Sequence, residues 1–306
     1  MPRAYAAFRN DRAFGNRRPA GCREGQPPPS SRWRPRDLWL SAFTTVPLCL
    51  GLWLVLLLAE TGGALAQDAP ISGDARERGE AILEELDQTQ SDSASQTRVR
   101  QLITTSGGQE REFQMEMFSS SGQGELLVVY REPARVRGVS FLMLNDRDDT
   151  WTYSPKTRRT RKLNSSSSKR SVNGSNFSYE DFGAGMGQLG EDYHARHLGE
   201  ELLAEVLCDR VELTPEADDA TYSRLVAWIS RDPRVIRRVD YFDADDKPLK
   251  RLTASEVRDA GKVPTAHRYR MENLQGSDAT EMEIIELRRE AQLPENTFTL
   301  ENLARQ

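Results

Sequence analysis

From residue 99 to residue 289 the chain repeats one grammar, a short run of alternating apolar and polar side chains followed by a few residues of turn chemistry. Along residues 112–119, Phe113, Met115 and Met117 alternate with Glu112, Gln114 and Glu116, a period of two that a helix cannot satisfy. The separators are Gly107-Gly108, Asp232-Pro233, Asp243-Ala244-Asp245-Asp246, Gly261, Gly276 and similar groups. They are too short to hold crossover helices, so successive runs must pair antiparallel. About eleven such runs predict a mainly β (α+β) fold built on a single curved antiparallel sheet. The one long helical pattern is at the front, over residues 74–86, with Ala81, Ile82 and Leu86 on one face.

Before that helix lies a different kind of sequence. Nine arginines between Arg3 and Arg36 precede an apolar run over residues 38–59, and the stretch ends in Ala64-Leu65-Ala66 before Gln67. This is the order of a secretory signal with a long basic leader, so residues 1–66 read as a signal peptide, with cleavage between Ala66 and Gln67. The apolar run is also long enough to stay as an uncleaved anchor. Residues 67–73 read as a linker and residues 74–306 as one domain.

Removal of the leader takes nine basic and four acidic residues from totals of 42 and 47, leaving 33 against 43 and a net charge of −10. A chain that acidic is a poor partner for nucleic acid. Of three cysteines only Cys208 lies after the leader, so no disulfide can form within the mature chain.

Other patterns carry little chemistry. Gly185-Met186-Gly187-Gln188-Leu189-Gly190 matches the spacing of a dinucleotide fingerprint, but it precedes a strand-like run instead of a helix, so no nucleotide is expected. His194 and His197 are three apart and face opposite sides of a strand, and no metal or other cofactor is expected. Glu180 and Asp181 have no histidine nearby in sequence, and their expected role is to cap or to pair with the basic hairpin before them. No catalytic residue is assigned, and the protein is not expected to be an enzyme.

Residues 151–182 are the most distinctive stretch. Trp151 and Tyr153 begin it as a strand, with Pro155 ending the pairing. Seven basic residues follow, Lys156, Arg158, Arg159, Arg161, Lys162, Lys169 and Arg170, with a serine run among them, and the stretch closes on Gly174-Ser175-Asn176-Phe177-Ser178-Tyr179-Glu180-Asp181-Phe182. That closing segment resembles the hallmark of the outer-membrane lipoprotein-sorting proteins, periplasmic carriers with a LolA/LolB-like fold. Further similarities run in order through Phe141-Leu142-Met143-Leu144, Leu198-Gly199-Glu200-Glu201, Trp228-Ile229 and Met271-Glu272-Asn273-Leu274.

The resemblance implies a half-barrel with short helices over its mouth. It also implies a periplasmic carrier of lipid or lipoprotein acyl chains, working beside an inner-membrane transporter of the resistance-nodulation-division class. A docking subunit for such a transporter, holding no ligand, is the alternative. Candidate cavity residues are Phe113, Met115, Met117, Leu127, Val129, Phe141, Met143, Trp151, Tyr153, Phe177, Tyr179 and Trp228, because large and adaptable side chains on a concave sheet suit an acyl chain. The seven basic residues form a candidate patch for an anionic surface or partner.

Overall fold

A computed structural model describes residues 73–89, 94–120, 124–145, 149–183, 193–217, 220–261 and 263–306. The leader 1–66, the Ala66/Gln67 junction, the linker apart from Gly73, and the glycine run 185–190 lie outside the described residues.

The helix expected at the front forms as α1 (Gly73–Thr89). Its buried positions are Gly79, Ile82, Leu83 and Leu86, whereas Ala81 faces water. Thirteen strands follow among the described residues, against about eleven expected. The first six are β1 (Ser95–Thr104), β2 (Glu110–Ser120), β3 (Glu125–Glu132), β4 (Ser140–Leu144), β5 (Asp149–Ser154) and β6 (Arg159–Lys162). Two short helical turns, α2 (Ser165–Ser168) and α3 (Tyr179–Gly183), lead to β7 (Tyr193–Leu203), β8 (Val206–Pro215), β9 (Arg224–Arg231) and β10 (Arg234–Phe242). β11 (Pro248–Ala260), β12 (Val263–Asn273), β13 (Ala279–Arg289) and the short α4 (Leu300–Leu303) complete the chain. One strand missing from the sequence reading is β6. Pro155 sits in a turn, after which pairing resumes with Arg159 opposite Ser154 and Lys162 opposite Trp151.

All strands belong to one antiparallel sheet in the order β6-β5-β4-β3-β2-β1-β13-β12-β11-β10-β9-β8-β7. Two meanders, β1 to β6 and β7 to β13, each run in chain order and meet at a seam where β1 pairs with β13, Gln101 lying opposite Met282. Among the described residues the edges are therefore β6 and β7, and the chain leaves β6 across the sheet through residues 163–183.

That route decides which face is inside. Following the pleat across the ladders puts Val99, Phe113, Met115, Val128, Tyr130, Phe141 and Met143 of the first meander on one face. Met282, Met271, Leu252, Val239, Ala227 and Val211 of the second meander share it. These side chains form one continuous buried cluster, together with Ile82, Leu83 and Leu86 of α1 and with Val172, Phe177 and Phe182 from the edge-to-edge segment. We call this the inner face.

The outer face is divided. Over the first meander, Leu127, Val129 and Leu142 pack with Leu303 and the partly buried Phe298, Trp151 and Tyr153 under the C-terminal segment. Around the seam the outer face is a ladder of ion pairs, including Arg98–Glu286 at 2.8 Å, Arg100–Glu283 and Arg270–Glu281. Such exposed pairs contribute little each, and their effect is to keep the face wet.

Candidate functional site

The site is the inner face beneath residues 163–183, where most residues of the closing segment 174–182 have a visible task. After α2, whose first turn is capped by the Asn164 side chain accepting from the Ser167 N–H, the chain makes a tight reversal over Val172-Asn173-Gly174-Ser175. Asn173 has φ 52° and Gly174 φ 78°, so both central residues are left-handed, and an Asn-Gly pair meets that requirement at least cost. Ser175 Oγ donates to the Phe177 carbonyl at 3.1 Å, holding the reversal closed. Ser178 starts α3. Its Oγ accepts from the Asp181 N–H at 3.1 Å while the Asp181 carboxylate accepts from the Ser178 N–H at 2.6 Å, a reciprocal capping box.

So shaped, the segment closes over the sheet with a wedge of rings. Phe141 on β4 meets Tyr179 at 5.2 Å and Phe182 at 5.3 Å, both edge to face, and Phe177 lies 5.8 Å from Phe182. Phe177 and Phe182 are fully buried. Edge-to-face pairs add about 0.5–1.5 kcal/mol each beyond the area they bury.

Polar contacts latch the wedge to the second meander. Asn176 donates its N–H to Thr280 Oγ1 at 2.9 Å, accepts from the same hydroxyl at 2.8 Å, and bonds the Asp278 carboxylate. Glu180 bonds Thr221, and Ser168 donates to it at 3.2 Å. Asp181 reaches deepest, pairing with Lys250 of β11 at 2.5 Å and accepting from the Tyr222 hydroxyl at 2.9 Å. Both members of the pair are buried, and the Lys250 ammonium also lies 4.8 Å from the ring centres of Tyr222 and Tyr241. Burial first, with the Asp181 charge next, holds the Tyr222 hydroxyl well above its ordinary pKa, and burial does the same for Tyr241, so both stay protonated.

Two expectations for this segment are narrowed here. Of the two roles expected for Glu180 and Asp181, capping or pairing with the basic hairpin, Asp181 takes the first, and its ion partner among the described residues is Lys250 of the sheet. The segment turns inward across the sheet and carries its acids away from β6. The candidate cavity residues also do not share one face. Phe113, Met115, Met117, Phe141 and Met143 are on the inner face, and Phe177 and Tyr179 belong to the cover that packs on it. Leu127, Val129, Trp151 and Tyr153 point outward beneath the C-terminal segment. Trp228 also points outward, between the guanidinium groups of Arg238 at 4.1 Å and Arg210 at 5.7 Å. Strands β3 and β9 are apolar on both sides of the pleat, so alternation alone could not assign their faces.

The basic patch divides as well. Lys162 pairs with Asp149 at 2.5 Å and lies over Trp151. Lys156, Arg158, Arg159, Arg161 and Arg170 are exposed, and none of them has an ion-pair partner among the described residues. Lys169 is partly buried and engaged with a neighbour. Of the histidines, His197 faces inward against Asp209 at 3.2 Å and His194 outward beside Glu216.

The partners that sequence reasoning missed are Lys250, Tyr222, Tyr241 and Thr280. Lys250 left one trace, since it shares strand parity with Leu252 and Ala254 and so lies on an apolar face.

A family model described as "Uncharacterized protein" matches residues 122–305. No curated protein matches the chain. Among solved structures, a DUF1329 family protein from Desulfovibrio piger is 25% identical with a TM-score of 0.70, over 75% of this chain and 99% of that one. An outer membrane lipoprotein-sorting protein domain from Vibrio parahaemolyticus is 24% identical with a TM-score of 0.68, over 75% and 99%. A LolA superfamily protein from Nitrosomonas europaea is 20% identical with a TM-score of 0.62, over 73% and 98%. The chain belongs to the family whose model spans residues 122–305, and its open antiparallel sheet is that of the LolA-like outer-membrane lipoprotein-sorting proteins.

Proposed function

We propose that the protein is a periplasmic carrier of Gram-negative bacteria that holds lipid or lipoprotein acyl chains against the inner face of its sheet, by binding and not by catalysis. One observation carries this reading. The apolar inner face is closed by a segment of the chain's own that, beyond Leu163, whose N–H still bonds the Thr150 carbonyl, meets the sheet among the described residues through side chains and the Asn176 N–H, where a pairing strand would use its backbone ladder. A cover of that kind can leave without dismantling any strand pair, and an acyl chain can take the place of Phe177 and Phe182. The likeness to lipoprotein-sorting structures supports the same reading.

The test is lipid extraction and native mass spectrometry of the purified protein, with displacement of a fluorescent fatty-acid probe. Asn176→Ala removes the side-chain ties to Thr280 and Asp278, keeping the backbone N–H bond to Thr280, and should shift the cover toward its open position. Apparent affinity scales with the open fraction, so each 1.4 kcal/mol taken from closure should tighten probe binding about tenfold. Absence of lipid from the wild type, together with no probe binding by wild type or Asn176→Ala, would sink the carrier reading and favour the docking subunit.

The unpaired cations around β6 supply a docking surface for anionic headgroups or for an acidic face of a transporter. Replacing Arg158, Arg159 and Arg161 by Glu should weaken association with vesicles containing phosphatidylglycerol at low salt, less so at high salt, while stability moves by no more than about 0.5 kcal/mol. Unchanged vesicle binding at low ionic strength returns these residues to an ordinary solvated edge.

A further inference from the structure

Lys250 is a cation on an apolar face, and among the described residues its one carboxylate partner is Asp181, which belongs to the cover. The other groups around it are the hydroxyl of Tyr222 and the rings of Tyr222 and Tyr241, which offer a donor and two π faces but no negative charge. If the cover lifts as the carrier reading requires, Asp181 leaves and Lys250 remains against Leu252, Tyr222 and Tyr241. A buried cation stripped of its partner is strongly unfavourable. The open state therefore calls for a replacement anion at the position of the Asp181 carboxylate, within reach of one ammonium and one phenolic hydroxyl.

On this basis we propose that Lys250 and Tyr222 form the headgroup subsite of the carrier, where the carboxylate or phosphate of an anionic acyl lipid takes the place of Asp181 while its chain lies along the inner face. Asp181 is then an internal surrogate for the ligand headgroup: its carboxylate already shows the contacts that the ligand would make, a 2.5 Å ion pair and a 2.9 Å hydrogen bond. The surrogate keeps the empty carrier closed. A neutral lipid could displace the rings but would leave Lys250 uncompensated, so the site selects for anionic lipid by penalising the neutral one. This inference rests on the carrier reading.

The experiment compares a fatty acid, its methyl ester and a lysophosphatidic acid of equal chain length as competitors of a fluorescent acyl probe. The wild type should prefer the acid to the ester by about tenfold or more, as expected for a charge-assisted hydrogen bond. Asp181→Asn removes the competing carboxylate, raises the open fraction and should tighten binding of acid and ester together while keeping the preference for the acid. Asp181→Asn/Lys250→Met has no buried charge to strand, which keeps the domain folded, and it should bind acid and ester equally. The ratio of lysophosphatidic acid to fatty acid identifies phosphate or carboxylate as the preferred head. A wild type that binds acid and ester alike, with Asp181→Asn shifting neither, overturns the headgroup subsite and leaves the carrier standing. A wild type that binds none of the three overturns both.

Discussion

Two covers rest on the same inner face, and they are held in different ways. Helix α1 lies along β7 by shape and apolar contact. Gly79 is so close to the strand that a Cβ there would come within 2.8–2.9 Å of the backbone of Ala195, Arg196 and His197. Its polar ties include peripheral ones, an exposed Glu85 that meets Arg234, an exposed Arg78 at 3.5 Å from Glu200 and an exposed Arg76 at 3.4 Å from His194. The carboxylate buried below α1 is Asp209, which belongs to the sheet and keeps Arg231 and Arg234 whether α1 is present or not. The crossing segment instead brings its own carboxylate into the interior. Departure of α1 exposes oil, whereas departure of the crossing segment also strands a charge. A cover of the first kind is a permanent wall. A cover of the second kind has two stable arrangements whenever another anion is at hand.

The comparison breaks most easily at Asp181. Asp181→Ala leaves Lys250 buried and unpaired and should cost about 3–5 kcal/mol in urea denaturation, while adding Lys250→Met should return most of it. Equal losses in the single and double variants would mean that the pair is no latch. On the α1 side the sharpest probe is Gly79→Val, which forces the helix off β7 and should cost about 1–3 kcal/mol of overpacking strain without changing the acid-over-ester preference. A changed preference would show that α1 belongs to the ligand site.

Extremes of pH separate the two covers with the smallest effect near neutrality. Under the crossing segment the buried hydroxyls of Tyr222 and Tyr241 are held neutral, and burial pushes nearby Tyr269 up to about 12. An unfolded tyrosine ionises near pH 10, so this contribution is complete below about pH 10 and is lost as pH rises further. Under α1, burial alone would raise the Asp209 carboxyl, but hydrogen bonds from Arg231 and Arg234 outweigh it and hold it at about 2. That contribution is present above about pH 4, where the unfolded carboxyl is ionised, and fades as pH falls toward 2. Hydrogen exchange should show the crossing segment loosening first in alkali and the α1 contacts first in acid. The reverse order would contradict the assignment of the two groups.

Much of this was legible in the chain. Alternation at Phe113, Met115 and Met117 marked strand and face together because the residues between them along the strand, with Glu112 before, are polar. It failed at Leu126 to Tyr130 and at Leu225 to Ile229, where the second face is also apolar because the C-terminal segment or a pair of arginines covers it. Strand β6 was hidden for the opposite reason, since Arg159-Thr160-Arg161-Lys162 is polar on both sides and only an edge tolerates that. The segment around Asp181 announced itself by its turn and cap residues, but Lys250 could not, because a lysine in a strand ordinarily faces water.

The seam between β1 and β13 bears on how such a sheet can be made. Ser95 pairs with Arg289 and Thr104 with Ala279, so the central ladder joins the two ends of the domain. A chain that appears N-terminus first has one side of β1 bare until its last strand arrives, and closing so long a loop carries a large entropic cost before any contact rewards it. Closure of this one ladder is therefore the late step, whereas every other ladder joins strands that are neighbours in the chain.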